Sequence, residues 1–515
     1  MPKTVDFSNK PFHFIGIGGI GMSALAYILA KRQLRVSGSD TRTTHITQRL
    51  QAVGAHIFKQ QCAANLEFFQ SRNAPACEDV AAKTVSTSLN PKALTEISQS
   101  SPTISVADPC LGLPQVICST AINPLNSEYQ AALKLGCTIF HRSDLLAALI
   151  EDYSSIAVAG THGKTTTSSL IGYLLWQAGC DPTMIIGGEV DAIGGNARLG
   201  NGPLLVAEAD ESDGSLVKLS AEIGVVTNIE LDHPDHYQKL EEVVEIFQTF
   251  AKRCKNLVGC IDCETVRTQL KPNISYSLRR DMGADYSVDD VTYEANGTTA
   301  RVWEGNQVLG RLELKLLGKH NLSNALAAVA VGRKLGLDFE AIASGIASFE
   351  GAKRRFELRG KCNDISFVDD YAHHPSEIKA TLAAARIQVK ADQRIIAIFQ
   401  PHRYSRTLRF LPEFSVSFSN ADLVVISDIY SAGEPDLGEI SGENLYQAIA
   451  SNHKDVHYKP TLESVVEFLN QILCPGDLAL FLGAGNLNQI IPKVMGFYQQ
   501  PDNGLVDQNL AQNHQ

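Results

Sequence analysis

Short apolar runs of β type recur along the chain, each closing on glycine or polar residues and most followed by an apolar helical period. That alternation predicts parallel α/β sheets, with ligand sites at the C-terminal ends of the strands. The first block opens with a strand at 13–17, a glycine turn (Gly16, Gly18, Gly21), a helix over 22–31, and a strand at 34–38 that ends on Ser39-Asp40. Residues 70–114, rich in Ser, Pro, Ala and Cys, have little periodicity and read as a long insertion or mobile loop. Pattern returns in strands at 116–119 and 138–140 and helices at 127–135 and 143–150. The second block has strands at 155–159, 204–207 and 223–227, a helix over 168–176, a β-hairpin elaboration over 285–316 around Asn296-Gly297, and a helix over 321–335 that runs into Gly336. The third alternates strands at 365–368, 394–399, 423–426 and 478–482 with helical stretches. Residues 499–515, Gln- and Asn-rich, read as a disordered tail.

The expected fold is therefore α/β in three domains. These are a Rossmann-like N-terminal domain (1–153), a central P-loop domain with a parallel sheet (154–350), and a C-terminal Rossmann-like domain (351–498). The length of 515 residues agrees with about three domains. A content of 44% apolar and 20% charged residues lets each domain bury a core, and a net charge of −11 argues against bulk nucleic-acid binding. With no signal peptide and no membrane-length apolar stretch, the expectation is a cytoplasmic protein without a membrane partner. The eleven cysteines are scattered, and the lone CxxC at Cys260 and Cys263 has no second pair to make a zinc site.

The strongest chemical signal is AGTHGKTTT, Ala159 to Thr167, between a predicted strand and a predicted helix. A glycine turn there leaves backbone N–H groups free for phosphate oxygens; Lys164 adds a point charge, and the Thr165 hydroxyl can ligate Mg²⁺. Val158 stands where the general GxxxxGK[ST] pattern wants glycine, so this is a shorter variant. The N-terminal GxGxxG with Asp40 looks like an NAD fingerprint, yet the turn itself requires only a diphosphate, which a nucleotide sugar also supplies. Two phosphate turns suggest two different nucleotides.

Further polar clusters end other strands. The four carboxylates within Glu208-Ala-Asp-Glu-Ser-Asp213 repel one another unless cations such as Mg²⁺ join them; a solvated acidic loop is the competing reading. His233 closes Thr227-Asn-Ile-Glu-Leu-Asp-His233 at the same predicted sheet edge and is a candidate metal ligand. In the third block, Asp369-Asp-Tyr-Ala-His-His-Pro375 and Gln400-Pro-His-Arg-Tyr-Ser-Arg406 follow strands, and Arg403 with Arg406 can clamp a carboxylate. Lys353-Arg-Arg355 marks a basic junction between the second and third blocks.

In order along residues 11–498, GIGGIGMSALA, GTHGKTTT, EADESDGS, TNIELDH, GKHNLSNALAA, KRRFE, DDYAHHP and FQPHRYSRT resemble the Mur ligase family. The resemblance implies ATP-dependent ligation of L-alanine to the lactyl carboxylate of UDP-N-acetylmuramate in peptidoglycan biosynthesis, through an acyl phosphate, by a monomer or weak dimer. It implies UDP-substrate binding at Gly18, Gly19, Ile20, Gly21, Ser39, Asp40, His162 and Arg198. ATP is expected at Gly160, Thr161, His162, Gly163, Lys164, Thr165, Thr166, Asn228 and Arg355, with His320 and Asn324 flanking the adenine. Mg²⁺ is expected at Thr165, Glu208 and His233, and the amino acid at Tyr371, His373, Arg403 and Arg406. The implied catalytic set is Lys164, Glu208, His233, Arg355, Asp370 and His373. The chain departs from the family around 59–115, and no lysine, Lys252 included, is carried over as a carbamylated residue. The rivals are a ligase of the same fold that adds a preformed tripeptide, and an NAD-dependent dehydrogenase, which leaves the P-loop idle.

Overall fold

The computed structural model describes residues 4–8, 10–69 and 112–499. Most of the 70–114 insertion and nearly all of the expected tail lie outside them. The chain divides into two compact units, Met1–Arg142 and Ser143–Gln515. The division falls after the first residue of helix Arg142–Glu151, whereas the sequence places the domain boundary at 153.

The first unit is a five-stranded parallel sheet ordered His56–Phe58, Val36–Ser39, Phe12–Ile15, Gln115–Cys118, Thr138–His141. Phe12, Phe14 and Ile15 are fully buried, because the central strand is covered on both faces. The chain switches direction across the sheet beside this strand, and helix Ile20–Lys31 leaves from there. A buried polar network lies in the same unit. His13 Nε2 meets Glu128 Oε1 at 2.8 Å and Asn65 Nδ2 donates to that oxygen at 2.7 Å. The Ser39 hydroxyl donates to Glu128 Oε2 at 2.5 Å. Ser39 is fully buried, so its expected place among the UDP contacts needs correction: its hydroxyl serves the interior.

The second unit holds two sheets. In the larger, of ten strands, the parallel run Asn256–Cys260, Ile223–Val226, Ser154–Ala159, Leu204–Glu208, Thr183–Val190 sets the ends of the P-loop strand and its neighbours along one edge. Residues 286–314 form three antiparallel strands, one more than the expected hairpin; the second turn, at Gly305, supplies the extra return. Helix Lys164–Gln177 starts four residues earlier than its apolar period suggests, since Lys164 to Thr167 are polar. Its Leu170, Leu174 and Leu175 pack in one core with Val329, Ile342 and Ile346 of helices Lys319–Lys334 and Phe339–Ser348. The smaller sheet has six strands, ordered Glu357–Cys362, Ile365–Asp370, Leu478–Leu482, Ile395–Phe399, Leu423–Ile426, Val456–Tyr458, and only the first pair is antiparallel.

Candidate active site

The central phosphate turn joins strand Ser154–Ala159 to helix Lys164–Gln177. Gly163 sits at φ +81°, and a Cβ there would stand 2.7 Å from Asn324 Oδ1, so only glycine fits. The next strand end braces the turn. The Thr227 hydroxyl donates to His162 O at 2.6 Å, and Asn228 both accepts from the His162 amide (2.8 Å) and donates to its carbonyl (3.1 Å). Asn228 thus shapes the turn through its backbone.

Lys164 Nζ donates to Gly160 O at 2.7 Å and to both oxygens of Glu211 at 2.8 and 2.7 Å. Glu211 is only 2% exposed. Burial alone would lower the Lys164 pKa, but the charges of Glu211 and Asp210 outweigh it and raise it, so the ammonium persists. Sequence reasoning placed Glu211 in an acidic cluster without a role; nothing in linear order marks it as the lysine's partner.

The Thr165 hydroxyl donates to Glu208 Oε1 at 3.1 Å, and the Gly187 amide donates to Glu208 Oε2 at 2.8 Å. Hard oxygen donors at a phosphate turn suit Mg²⁺. His233 adopts φ +54°, and its amide donates to Asp232 Oδ1 at 2.7 Å. Burial lowers the His233 pKa, helped by the nearby charges of Arg406 and Lys164 and opposed by Asp232; the imidazole keeps a lone pair for a metal.

A cavity of about 230 Å³ opens beside the turn, lined by Gly163, Asn228, His320, Asn324, Arg355 and Asp370 among others. Burial, with Arg355 nearby, lowers the His320 pKa to about 4, leaving a neutral ring. Arg355 Nη2 approaches Thr165 Oγ1 at 3.5 Å, bringing the basic junction over the turn. Asp370 accepts from the Phe356 amide (2.7 Å) and the Ala372 amide (2.8 Å), while burial lifts its carboxyl to about 6 against the pull of Arg355. Arg354, Phe356 and Arg403 join His233 at positive φ, a conformation that bulky side chains avoid. Sequence gave no sign of these strained positions.

His373 Nδ1 lies 2.9 Å from Tyr371 O, and burial lowers its pKa to about 4. Arg403 Nη1 pairs with Asp235 at 2.6 Å and Glu434 at 3.4 Å. Arg406 differs from expectation. It is 1% exposed, its Nε donates to Asp232 Oδ1 at 2.9 Å, and it is not open to a substrate carboxylate in this arrangement. Arg198 differs too: its guanidinium donates to Asp181 and to Pro182 O (3.0 Å), and it lies 4.6 Å over the Trp176 ring. In the first unit, the Gly18 amide donates to Asp40 Oδ2 at 2.9 Å, so the acid that ends the second strand fills the glycine turn. Gly19 caps helix Ile20–Lys31 through its backbone, and Gly21 lies within the helix's first turn.

Three family models match the chain: Mur ligase family, catalytic domain, over residues 11–154; Mur ligase middle domain, over 158–332; and Mur ligase, glutamate ligase domain, over 354–485. The chain is 64% identical over 97% of its length to the UDP-N-acetylmuramate–L-alanine ligase of Nostoc punctiforme, covering 99% of that protein. It is 59% identical over 97% of its length to the enzyme of the same name from Synechococcus elongatus, covering 98% of that protein. The solved UDP-N-acetylmuramate-alanine ligase of Thermotoga maritima aligns with 95% of this chain and 99% of its own, with a TM-score of 0.74 and 26% identity. A murein peptide ligase from Psychrobacter arcticus shares the fold at a TM-score of 0.66 and 20% identity, over 97% of this chain and all of its own.

Proposed function

This chain belongs to the Mur ligase family, and from that premise we propose how its residues divide the work. It is an ATP-dependent ligase that joins L-alanine to UDP-N-acetylmuramate in peptidoglycan synthesis. The observation that carries the assignment of its phosphoryl-transfer site is the Lys164 ammonium, held at a glycine turn beside the Thr165–Glu208 pair.

In this reading residues 154–350 bind ATP at Gly160 to Thr166, with the base beside His320 and Asn324; residues 351–498 bind the amino acid; and the first domain, 1–153, carries the UDP moiety at Gly18 to Gly21. Lys164 leaves Glu211 for the phosphates, and Arg355 adds charge to the transferring group. The γ-phosphoryl group passes to the lactyl carboxylate, and ADP leaves. The alanine amine attacks the resulting acyl phosphate, a tetrahedral intermediate forms, and amide bond formation expels phosphate with loss of one proton. His373 donates Nδ1–H to Tyr371 O, so the lone pair on Nε2 is available to the alanine ammonium. Arg403, paired with partly exposed Asp235 and Glu434, exchanges towards the alanine carboxylate more readily than buried Arg406. Thr165, Glu208 and His233 would hold Mg²⁺, which supplies charge neutralisation at the phosphates when bound. Cytoplasmic location follows from substrates that the cytoplasm makes; among the described residues, no helix is long and apolar enough to cross a membrane.

Phosphate release with ATP, Mg²⁺ and UDP-N-acetylmuramate, varying the acceptor, tests the reading. L-Alanine is expected to support turnover, with glycine and L-serine poorer, since a methyl-sized difference is worth about 1–3 kcal/mol. A tripeptide used better than alanine would overturn the acceptor assignment.

A further inference from the structure

Beside the phosphate turn three side chains converge, one of which, His162, belongs to the ATP-binding run Gly160 to Thr166. His162 lies in the turn, Glu230 follows strand Ile223–Val226, and His374 is the N-cap of helix Pro375–Gln388. One ring nitrogen from each histidine and one oxygen of Glu230 all lie within 4.8 Å of one another. The two rings are 4.7 Å apart, and His162 Nε2 stands 3.4 Å from Glu230 Oε2. His162 Nε2 is buried against the Glu230 carboxylate, His374 Nδ1 lies 3.9 Å from Glu230 Oε2, and the His374 side chain is 5% exposed. On its other nitrogen, His162 Nδ1 meets Glu377 Oε1 at 3.2 Å, and the other Glu377 oxygen accepts from the amides of His373 (3.0 Å) and His374 (3.2 Å). A fixed carboxylate on the far nitrogen is how proteins orient a metal-ligating imidazole.

We propose that His162, Glu230 and His374 form a second cation site, for a divalent transition metal of zinc or cobalt type, made of different residues from the Thr165–Glu208–His233 set. Two imidazoles and one carboxylate favour such ions over Mg²⁺, which prefers oxygen alone, and leave a fourth position for water. Glu230 is 43% exposed, which gives an ion a way in. The metal-free protein fills this place with a proton. Burial alone would lower the His162 pKa, but hydrogen bonds and charge from Glu230 and Glu377 raise it to about 10. His374 is the neutral partner, its pKa lowered by burial and by His162, against Asp232, Glu377 and Glu230. Binding therefore exchanges one proton: the metal takes the lone pair freed when the His162 imidazolium releases H⁺ to solvent. His374 Nδ1, 3.9 Å from Glu230 Oε2, would exchange the 3.3 Å contact from the Ser376 amide for the metal while Nε2 keeps its proton, so the ring's own proton count is unchanged. The ion would tie the helix at Pro375 to the phosphate turn.

The test is titration of the metal-free full chain with Co²⁺ in excess Mg²⁺, followed by visible absorption and by calorimetry in two buffers of different ionisation enthalpy. One equivalent of Co²⁺ with tetrahedral bands and release of one proton are expected at neutral pH. Glu230→Gln and His374→Ala should each weaken Co²⁺ at least tenfold, whereas Glu208→Gln should keep the signal. Circular dichroism checks folding, and if His374→Ala does not fold, the near-isosteric Glu230→Gln decides. No tetrahedral cobalt signal, a signal indifferent to Glu230→Gln, or one lost only with Glu208→Gln would overturn the proposal.

Discussion

The two glycine turns use the same backbone device and treat it differently. At Gly16 to Gly21 the turn's amide at Gly18 is met by Asp40, a partly exposed carboxylate one helix and one strand further along the chain. At Gly160 to Lys164 the turn's own cation is met by Glu211, nearly inaccessible to water. A helix N-terminus with free amides attracts an anion in either case. Only the central turn adds a movable charge, a hydroxyl and a neighbouring carboxylate that can hold Mg²⁺. The difference teaches that glycine spacing marks where a phosphate can sit, while the side chains at the neighbouring strand ends decide whether it can be transferred.

Several substitutions break or sharpen this contrast. Lys164→Ala should lower turnover by about 10²–10³-fold or more while circular dichroism stays native, since it removes charge stabilisation at the transferring group; near-normal turnover would deny the central turn its role. Glu211→Gln should cost about 3 kcal/mol in urea unfolding, because it leaves a largely buried ammonium without its counter-charge. Asp40→Ala, by the same measurement, should cost about 1 kcal/mol, the net worth of one hydrogen bond to a backbone amide. Equal losses at Glu211 and Asp40 would erase the contrast between a buried charge pair and an accessible one.

What could be read from the linear sequence follows from locality. Glycine turns, the strands before them and the polar strand ends are contiguous, so the parallel α/β plan and the placement of Thr165, Glu208 and Asp370 at helix and strand ends were legible. Side chains whose partners lie far along the chain were not. Ser39 reads as a strand-end ligand residue until Glu128 is brought beneath it, and Arg198 as a substrate contact until Asp181 and Trp176 are placed beside it. Arg406 and Arg403 look equivalent in one short motif; a single helical turn buries one against Asp232 and leaves the other among partly exposed acids. Glu377, which fastens His162 and caps its own helix, lies two residues past DDYAHHP and carries no motif of its own.

The smallest expected effect is on pH dependence. The His162 pKa is raised from 6.5 to about 10 in the folded chain, so its contribution to stability is complete below about pH 6.5 and is lost as pH rises towards about 10. Melting temperatures at constant ionic strength should fall across that window, and His162→Gln should flatten the fall; an unchanged slope would place the proton elsewhere.

The central claim, that the two turns serve two different nucleotides, is tested most directly by calorimetric titration of wild type and Lys164→Ala with UDP-N-acetylmuramate and with a non-hydrolysable ATP analogue plus Mg²⁺. The account predicts that Lys164→Ala weakens the ATP analogue and leaves the sugar nucleotide unchanged. Loss of UDP-N-acetylmuramate binding in Lys164→Ala, with the ATP analogue bound as in wild type, would contradict it.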